Sequence, residues 1–222
     1  GAEKIVLISS TTGDKRILQH KAIIDFIAQQ KQPAQLLYTS ILHADTSKLT
    51  FAEDHVITEA YIKEKLQNYV LLRNGWYTEN YVETLPYVIE GGQQIGASKQ
   101  GKISAASRKD YAEAIIAVFI GNDHRNHVYE LAGDEAFNLD EYAQTVAQLT
   151  NKPFKYVDIS EEEYFGALQQ FGVPKDFAQL VAQADVQAAV GELYDDQKQL
   201  SQLIGRPTTS LEDVIKHQLK LQ

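Results

Sequence analysis

Residues 1–12 read GAEKIVLISSTT. Ile5 to Ile8 is an unbroken apolar run that gives way to Ser9, Ser10, Thr11 and Thr12. Such a run reads as a strand buried on both faces, the kind found in a parallel sheet, and predicts a strand over residues 4–10. A parallel strand needs neighbouring strands and helical cover on both faces. Gly1 opens a chain without methionine, so it does not read as a translation start, and more of the sheet is expected ahead of it.

The residues that follow alternate in type. A helix is predicted over 15–30, with Ile17, Ala22, Ile23, Phe26 and Ile27 as its apolar face, then a strand over 35–40, QLLYTS. A second helix over 51–66 opens with Thr50 and Glu53 at capping-box spacing, and a strand over 69–73, YVLLR, runs into NGWYTENY. Strand and helix alternating at about 30 residues per unit predict βαβ units in a parallel sheet. Beyond residue 84 the pattern loosens. Residues 91–106, GGQQIGASKQGKISAA, read as short extended pieces with glycine turns. A helix over 108–120 and a strand over 127–132 come next. Helices over 138–150, 160–171, 174–190 and 209–221 follow, with a strand over 154–159. Asn138 with Glu141 and Ser160 with Glu163 have capping-box spacing. Residues 1–83 thus read as part of a parallel-sheet core. Residues 84–222 read as the remaining sheet elements interleaved with a small, mostly helical lobe.

Composition sets outer bounds. The 222 residues are 44% hydrophobic and 23% charged, enough to bury a real core. A net charge of −9, with no stripe of lysine and arginine, argues against nucleic acid as a partner. No apolar segment approaches the roughly 18 residues of a membrane span, and the expected home is the cytoplasm. The absence of cysteine excludes disulfides and thiolate metal sites, and His43, Asp45 and His55 have no regular ligand spacing, so no metal is expected.

Three successive strands end in small polar or amide residues. These are Ser9 and Ser10, then Tyr38, Thr39 and Ser40, then Asn74, Gly75 and Trp76. In open parallel sheets such carboxyl ends line the ligand crevice. His55 falls one turn into the second helix, with Glu59 four residues on, so a carboxylate is expected beside its ring. LRNGWYTENY, residues 72–81, places the only tryptophan among tyrosines and amides. It suits a flat, partly polar ligand, or an aromatic cluster closing a second lobe over the sheet. Tyr61 and Lys65 match a Y-x-x-x-K pair, but they sit at the wrong end of their helix for a strand-edge site. Gly91, Gly92 and Gly96 lack the spacing and setting of a dinucleotide turn.

Taken in order, LISS, YTSILHADTS, LLRNGWYTENY, GKISAASRKDYAEA, VYELAGDEAFNLDEYA and LYDDQKQLSQLIGRPTTSLED resemble the atypical short-chain dehydrogenase family of NmrA-like proteins. Within it, they resemble the bacterial NAD(P)H:quinone oxidoreductases of type 2. The resemblance runs the whole length of the chain. It implies an α/β Rossmann-type parallel sheet, its N-terminal part missing from this chain, with a small C-terminal substrate lobe. It also implies NADP(H) as cofactor and hydride transfer to a quinone or similar flat acceptor by a monomer or homodimer. The cofactor edge would map onto Ile8, Ser9, Ser10, Tyr38, Thr39, Ser40, Asn74, Gly75 and Trp76, and the catalytic group onto His55, Asn80 and Tyr77. Relatives open with a βαβαβ stretch and a glycine-rich turn. The corresponding segment is on the order of 60 residues, and without it weak cofactor binding is expected. The rival reading is an NmrA-like regulator that binds a dinucleotide without turning it over. A third is an inactive truncated protein.

Overall fold

The computed structural model describes residues 1–10, 13 and 15–221; Thr11 and Thr12, counted above in the polar strand end, lie outside the described residues. Strands β1 (Lys4–Leu7), β2 (Gln35–Ile41), β3 (Tyr69–Asn74) and β5 (His127–Leu131) form an all-parallel sheet in the order β1-β2-β3-β5. The apolar runs decide this. All seven residues of β2 are buried and β3 buries five of six, as strands covered on both faces must. Alternate residues serve opposite faces. Leu36, Tyr38 and Leu71 pack with Ile24, Ile27 and Ile62 of helices α1 (Arg16–Ala28) and α2 (Ala52–Lys65). Leu37, Val70 and Leu72 pack with Tyr111 and Val118 of α5 (Arg108–Ile120) and Leu200 of α9 (Gln199–Ile204). This is the predicted α/β Rossmann-type sheet. β1 is shorter than the predicted 4–10 and pairs only with β2 among the described residues. Lys4 of that strand donates to the Phe119 and Gly121 carbonyls, each at 2.7 Å, placing a cation on the C-terminal end of α5.

The second part is built on α3 (Glu79–Val82), α4 (Leu85–Val88), β4 (Gln93–Gly96), α6 (Leu139–Thr150), β6 (Lys155–Asp158), α7 (Glu161–Gln170), α8 (Lys175–Ala188) and α10 (Leu211–Leu219). Its core gathers Tyr81, Leu85, Ile103, Phe137, Tyr142, Val146 and Ile215. β4 and β6 pair in parallel as a separate two-stranded sheet, which the loose reading of 91–106 did not anticipate. β5 lies between them in sequence yet returns to the main sheet. Gly133 lets that return pass close to the 105–106 backbone: a Cβ there would stand 2.0 Å from the Ala105 carbonyl oxygen.

The boxes at Asn138–Glu141 and Ser160–Glu163 form as predicted, and a third forms at Ser107–Asp110. The box at Thr50–Glu53 does not form. α2 begins after Phe51 without a side-chain cap, and the Thr50 N–H turns instead to Gln183 of α8. The predicted face of α1 also shifts. α1 buries Arg16, His20, Ile24 and Ile27 and leaves Phe26 exposed, while α5 buries Asp110, Tyr111, Ala114 and Val118 and leaves Ile116 and Phe119 exposed. No helix among the described residues is long and apolar enough to cross a membrane.

Candidate active site

Parallel register brings the strand ends level: Ser40 pairs with Arg73 and Arg73 with Glu130, so β2, β3 and β5 stop together. Just beyond them lies a cleft of about 220 Å³. Ser9 and Ser10 line it beyond β1, Ser40 in β2, and Asn74, Gly75, Trp76, Tyr77 and Asn80 from the end of β3 onward. His55 and Arg16 complete the sheet side. The structure thus gathers nine of the twelve residues singled out at the strand ends, in helix α2 and in the aromatic stretch. The other three stand apart. Ile8 is exposed, Tyr38 is buried beneath the cleft, and Thr39 accepts a hydrogen bond from the Ser9 backbone N–H at 2.8 Å, pinning the turn after β1.

His55 is buried and both its ring nitrogens are engaged. Arg16 Nη2 lies 2.8 Å from Nε2, and the Tyr38 hydroxyl lies 2.9 Å from Nδ1. A guanidinium can only donate, so Nε2 is the acceptor, and the neutral ring carries its proton on Nδ1, facing Tyr38. Burial, with the nearby Arg16 and His20 charges, pulls the imidazole down to about 3. At neutral pH this ring is no proton donor toward the cleft. Burial also pushes the Tyr38 phenol up to about 12. Behind it, His20 Nδ1 lies 3.0 Å from Thr58 Oγ1, which donates to the Asp54 carbonyl at 2.8 Å.

The carboxylate expected beside His55 goes elsewhere. Glu59 takes Arg73 in a fork, Nε to Oε1 at 2.9 Å and Nη2 to Oε2 at 2.7 Å, and accepts the Ser40 hydroxyl at 2.6 Å. Arg73 Nη1 reaches Glu130 at 2.7 Å and Asp45 at 3.0 Å. His43 joins the same wall, its N–H donating to Glu130 and its Nε2 lying 3.1 Å from Asp195. This network braces the strand ends from behind. Tyr61 donates to Asp25 and Lys65 pairs with Glu64, outside the cleft lining, so the Y-x-x-x-K match has no part in the site. Among the described residues no group of three His, Cys, Asp or Glu is placed to hold a metal.

The opposite wall is apolar. Leu49, Phe51, Phe177, Leu180 and Leu193 face the Trp76 ring, whose centroid is 6.3 Å from that of Phe51. The aromatic stretch divides its work. Trp76 and Tyr77 line the cleft, while Tyr81 packs against Phe137 and Tyr142 in the core of the second part. The stretch therefore contributes both to the cleft lining and to the core of the second part. Sequence reasoning missed Arg16 and the α8 residues. The available signal was the spacing of Arg16 and His20 with Ile24 and Ile27, two polar residues on one buried stripe.

No family model matches the chain. It is 42% identical over 217 residues to quinone oxidoreductase 2 of Escherichia coli, covering 98% of this chain and 76% of that protein. It superposes with TM-score 0.94 on the crystal structure of that NADPH-dependent enzyme complexed with NADPH, at 41% identity over 99% of this chain and 77% of the other. The Citrobacter sp. triphenylmethane reductase superposes with TM-score 0.93 at 28% identity, over 100% of this chain and 77% of its own. NmrA, a negative transcriptional regulator, shares the fold with TM-score 0.73 at 12% identity, over 97% of this chain and 74% of its own.

Proposed function

Because the chain belongs to the NmrA-like, atypical short-chain dehydrogenase family that contains quinone oxidoreductase 2, we propose that its cleft is the nicotinamide and quinone site of an NADPH-dependent quinone reductase. The observation that carries this reading is the cleft itself. Strand-end hydroxyls and an amide form one wall, and aromatic and aliphatic side chains form the other. Such a slot suits two flat rings in contact, with polar groups only at their rims.

The residues present fit the nicotinamide end of the cofactor. Asn74 Oδ1 is buried in the wall with no hydrogen-bond partner, an acceptor suited to a carboxamide N–H. Ser9 and Ser40 also line the cleft; the Ser40 hydroxyl donates to Glu59, leaving its own oxygen as an acceptor. Reduced nicotinamide supplies the hydride, and the protein's part is to bind, orient and exclude side reactions. Trp76 and Phe51, packed on each other, offer an aromatic surface for the acceptor ring. Tyr77 and Asn80, nearer the open mouth, offer hydrogen bonds to its outer oxygen. Exposed Asn80 and Ser10 leave that mouth open to water, which can deliver the proton completing the quinol. No side chain is needed as a covalent nucleophile. Residues 1–83 supply the sheet side of this site and, with Leu49, Phe51 and Trp76, part of its apolar lining, and residues 84–222 add Phe177, Leu180 and Leu193.

The test is NADPH oxidation by the purified protein with small benzoquinones and naphthoquinones as acceptors. Turnover, weakened by Trp76→Ala and by Asn74→Leu, is the expected result. NADPH binding with no turnover of any quinone, and equal affinity for the oxidised cofactor, would overturn the enzymatic reading and favour a cofactor sensor.

A further inference from the structure

Arg16, the first residue of α1, lines the cleft floor with only 4% of its surface exposed. A guanidinium carries five N–H donors, and burying it without matching acceptors is costly. Its partners here are few. Nη2 donates to His55 Nε2 at 2.8 Å, Nη1 stands 3.6 Å from Asp54 Oδ2, and Nε is buried with no partner. No carboxylate lies within hydrogen-bond distance among the described residues. The nearest strong acceptor is an uncharged ring, and it can accept only because it is uncharged: a protonated His55 would turn an N–H toward the guanidinium. The Tyr38 hydroxyl on Nδ1 holds the ring in that tautomer. The result is a positive charge, fixed in direction and facing the Asp54 carboxylate across 3.6 Å without a hydrogen bond, in the wall of a cleft rich in apolar side chains.

We propose that Arg16 is the electrophilic residue of this site, receiving the negative charge on an oxygen of the bound acceptor, and that His55 is its positioning residue. The inference rests on the quinone-reductase reading for the reaction, though not for the charge recognition. Hydride addition at one carbonyl oxygen of a quinone forms an O–H bond and leaves a hydroquinone monoanion, with the charge on the opposite oxygen. Arg16 hydrogen-bonds that oxygen as the charge develops, and a proton from water then completes the hydroquinone. An oriented donor in a partly dry site acts on the transition state more than on the neutral ground state. The same guanidinium makes the cleft selective for ligands that present an anionic oxygen on a flat ring, such as ionised hydroxyquinones.

The test uses the full chain and a hydroxynaphthoquinone, whose colour reports whether its hydroxyl is ionised, with no cofactor present. Bound to the wild-type protein, the dye should ionise about one to two pH units below its value in water, the effect of an opposite charge close by. Arg16→Gln should abolish that shift and lower kcat/KM for quinone reduction by about 10²–10³-fold, the size expected for a lost oxyanion donor. Arg16→Lys, which keeps the charge, should keep the colour shift and recover part of the rate; it also serves if the glutamine variant does not fold. His55→Leu should lower kcat about tenfold with KM little changed. His55→Gln, whose amide oxygen can accept from Arg16, should restore most of it. A colour shift or a kcat/KM in Arg16→Gln within about threefold of wild type would overturn the proposal. An Arg16-dependent colour shift without quinone turnover by the wild type would uphold the charge assignment while removing the reductase reading. Turnover that is indifferent to Arg16 would do the reverse.

Discussion

Two buried arginines stand at the strand ends, Arg73 in β3 behind the cleft and Arg16 at the start of α1 in its lining. Arg73 meets three carboxylates, Glu59 in a fork and Glu130 and Asp45 on Nη1. Those contacts raise the guanidinium above its ordinary range, against the opposing effect of burial. Arg16 is as deeply withdrawn and has, among the described residues, one imidazole nitrogen, a single carboxylate at 3.6 Å and an unpartnered Nε. Depth alone does not distinguish a brace from a reactive group; what distinguishes them is whether the donors are used up. The Arg73 network is closed and belongs to stability. The Arg16 pocket is open on the side of the cleft and belongs to chemistry.

The comparison breaks if the two respond alike to truncation. Arg73→Met strands Glu59 in the interior and should cost about 3–5 kcal/mol in urea unfolding, with partial recovery when Glu59→Leu is added. Arg16→Met removes a charge whose ion-pair partner among the described residues, the partly exposed Asp54, stands at 3.6 Å, and should leave stability within about 1 kcal/mol of wild type, or raise it. Equal losses would make Arg16 a second brace.

Two buried titratable groups sharpen the same contrast through pH. His55 binds its proton more weakly when folded than the ordinary 6.5, so the unfolded chain holds more protons on the acid side. Its contribution is present above pH 6.5 and lost as pH falls toward about 3; His55→Gln should flatten that limb of the stability profile. Asp185 of α8 is the opposite case. Burial raises its carboxyl to about 7 despite the 2.9 Å hydrogen bond from the Ala97 N–H. The folded chain therefore binds the proton more tightly, and stability falls as pH rises from the ordinary carboxylate range through about 7. Asp185→Asn keeps an acceptor for Ala97 and should remove that fall, making the variant the more stable form at alkaline pH. The smallest effect is expected at the mouth. Phe177→Ala, at a half-exposed ring, should raise KM for bulky quinones about two- to fivefold and shift unfolding by no more than about 0.5 kcal/mol.

Sheet and site were unequally legible in the residue order. β2 and β3 announced themselves because a strand buried on both faces leaves a continuous apolar run, and their polar endings located the cleft edge before any coordinates. In the second part α6, β6, α7, α8 and α10 fell within their predicted ranges, whereas β4, α3 and α4 are four residues each and carry no measurable period. Asp at the third position hid the Ser107 box from a search for Glu or Gln. Arg16 was overlooked for another reason, since its one signal was its place with His20 on the stripe of Ile24 and Ile27. In RILQHK an arginine reads as a solvated helix residue, and only packing α1 against α2 turns it inward. The apolar residues chosen for α1 likewise gave a neighbouring stripe, since Ile23 and Phe26 sit one position off the buried row.

The path of the chain between its two sheets has a mechanical consequence. β4 joins the small sheet, β5 goes back to the large one, and β6 returns to the small one, with α9 against α5 and β5 and α10 against α6 still to come. A protease that cut the loop between α5 and β5, residues 121–126, would therefore release neither half, because each half holds strands from both sides of that nick. The nicked molecule should migrate as one particle until denaturant is added. The two walls of the cleft should melt together in one cooperative step, so the catalytic slot is lost only when the whole protein is.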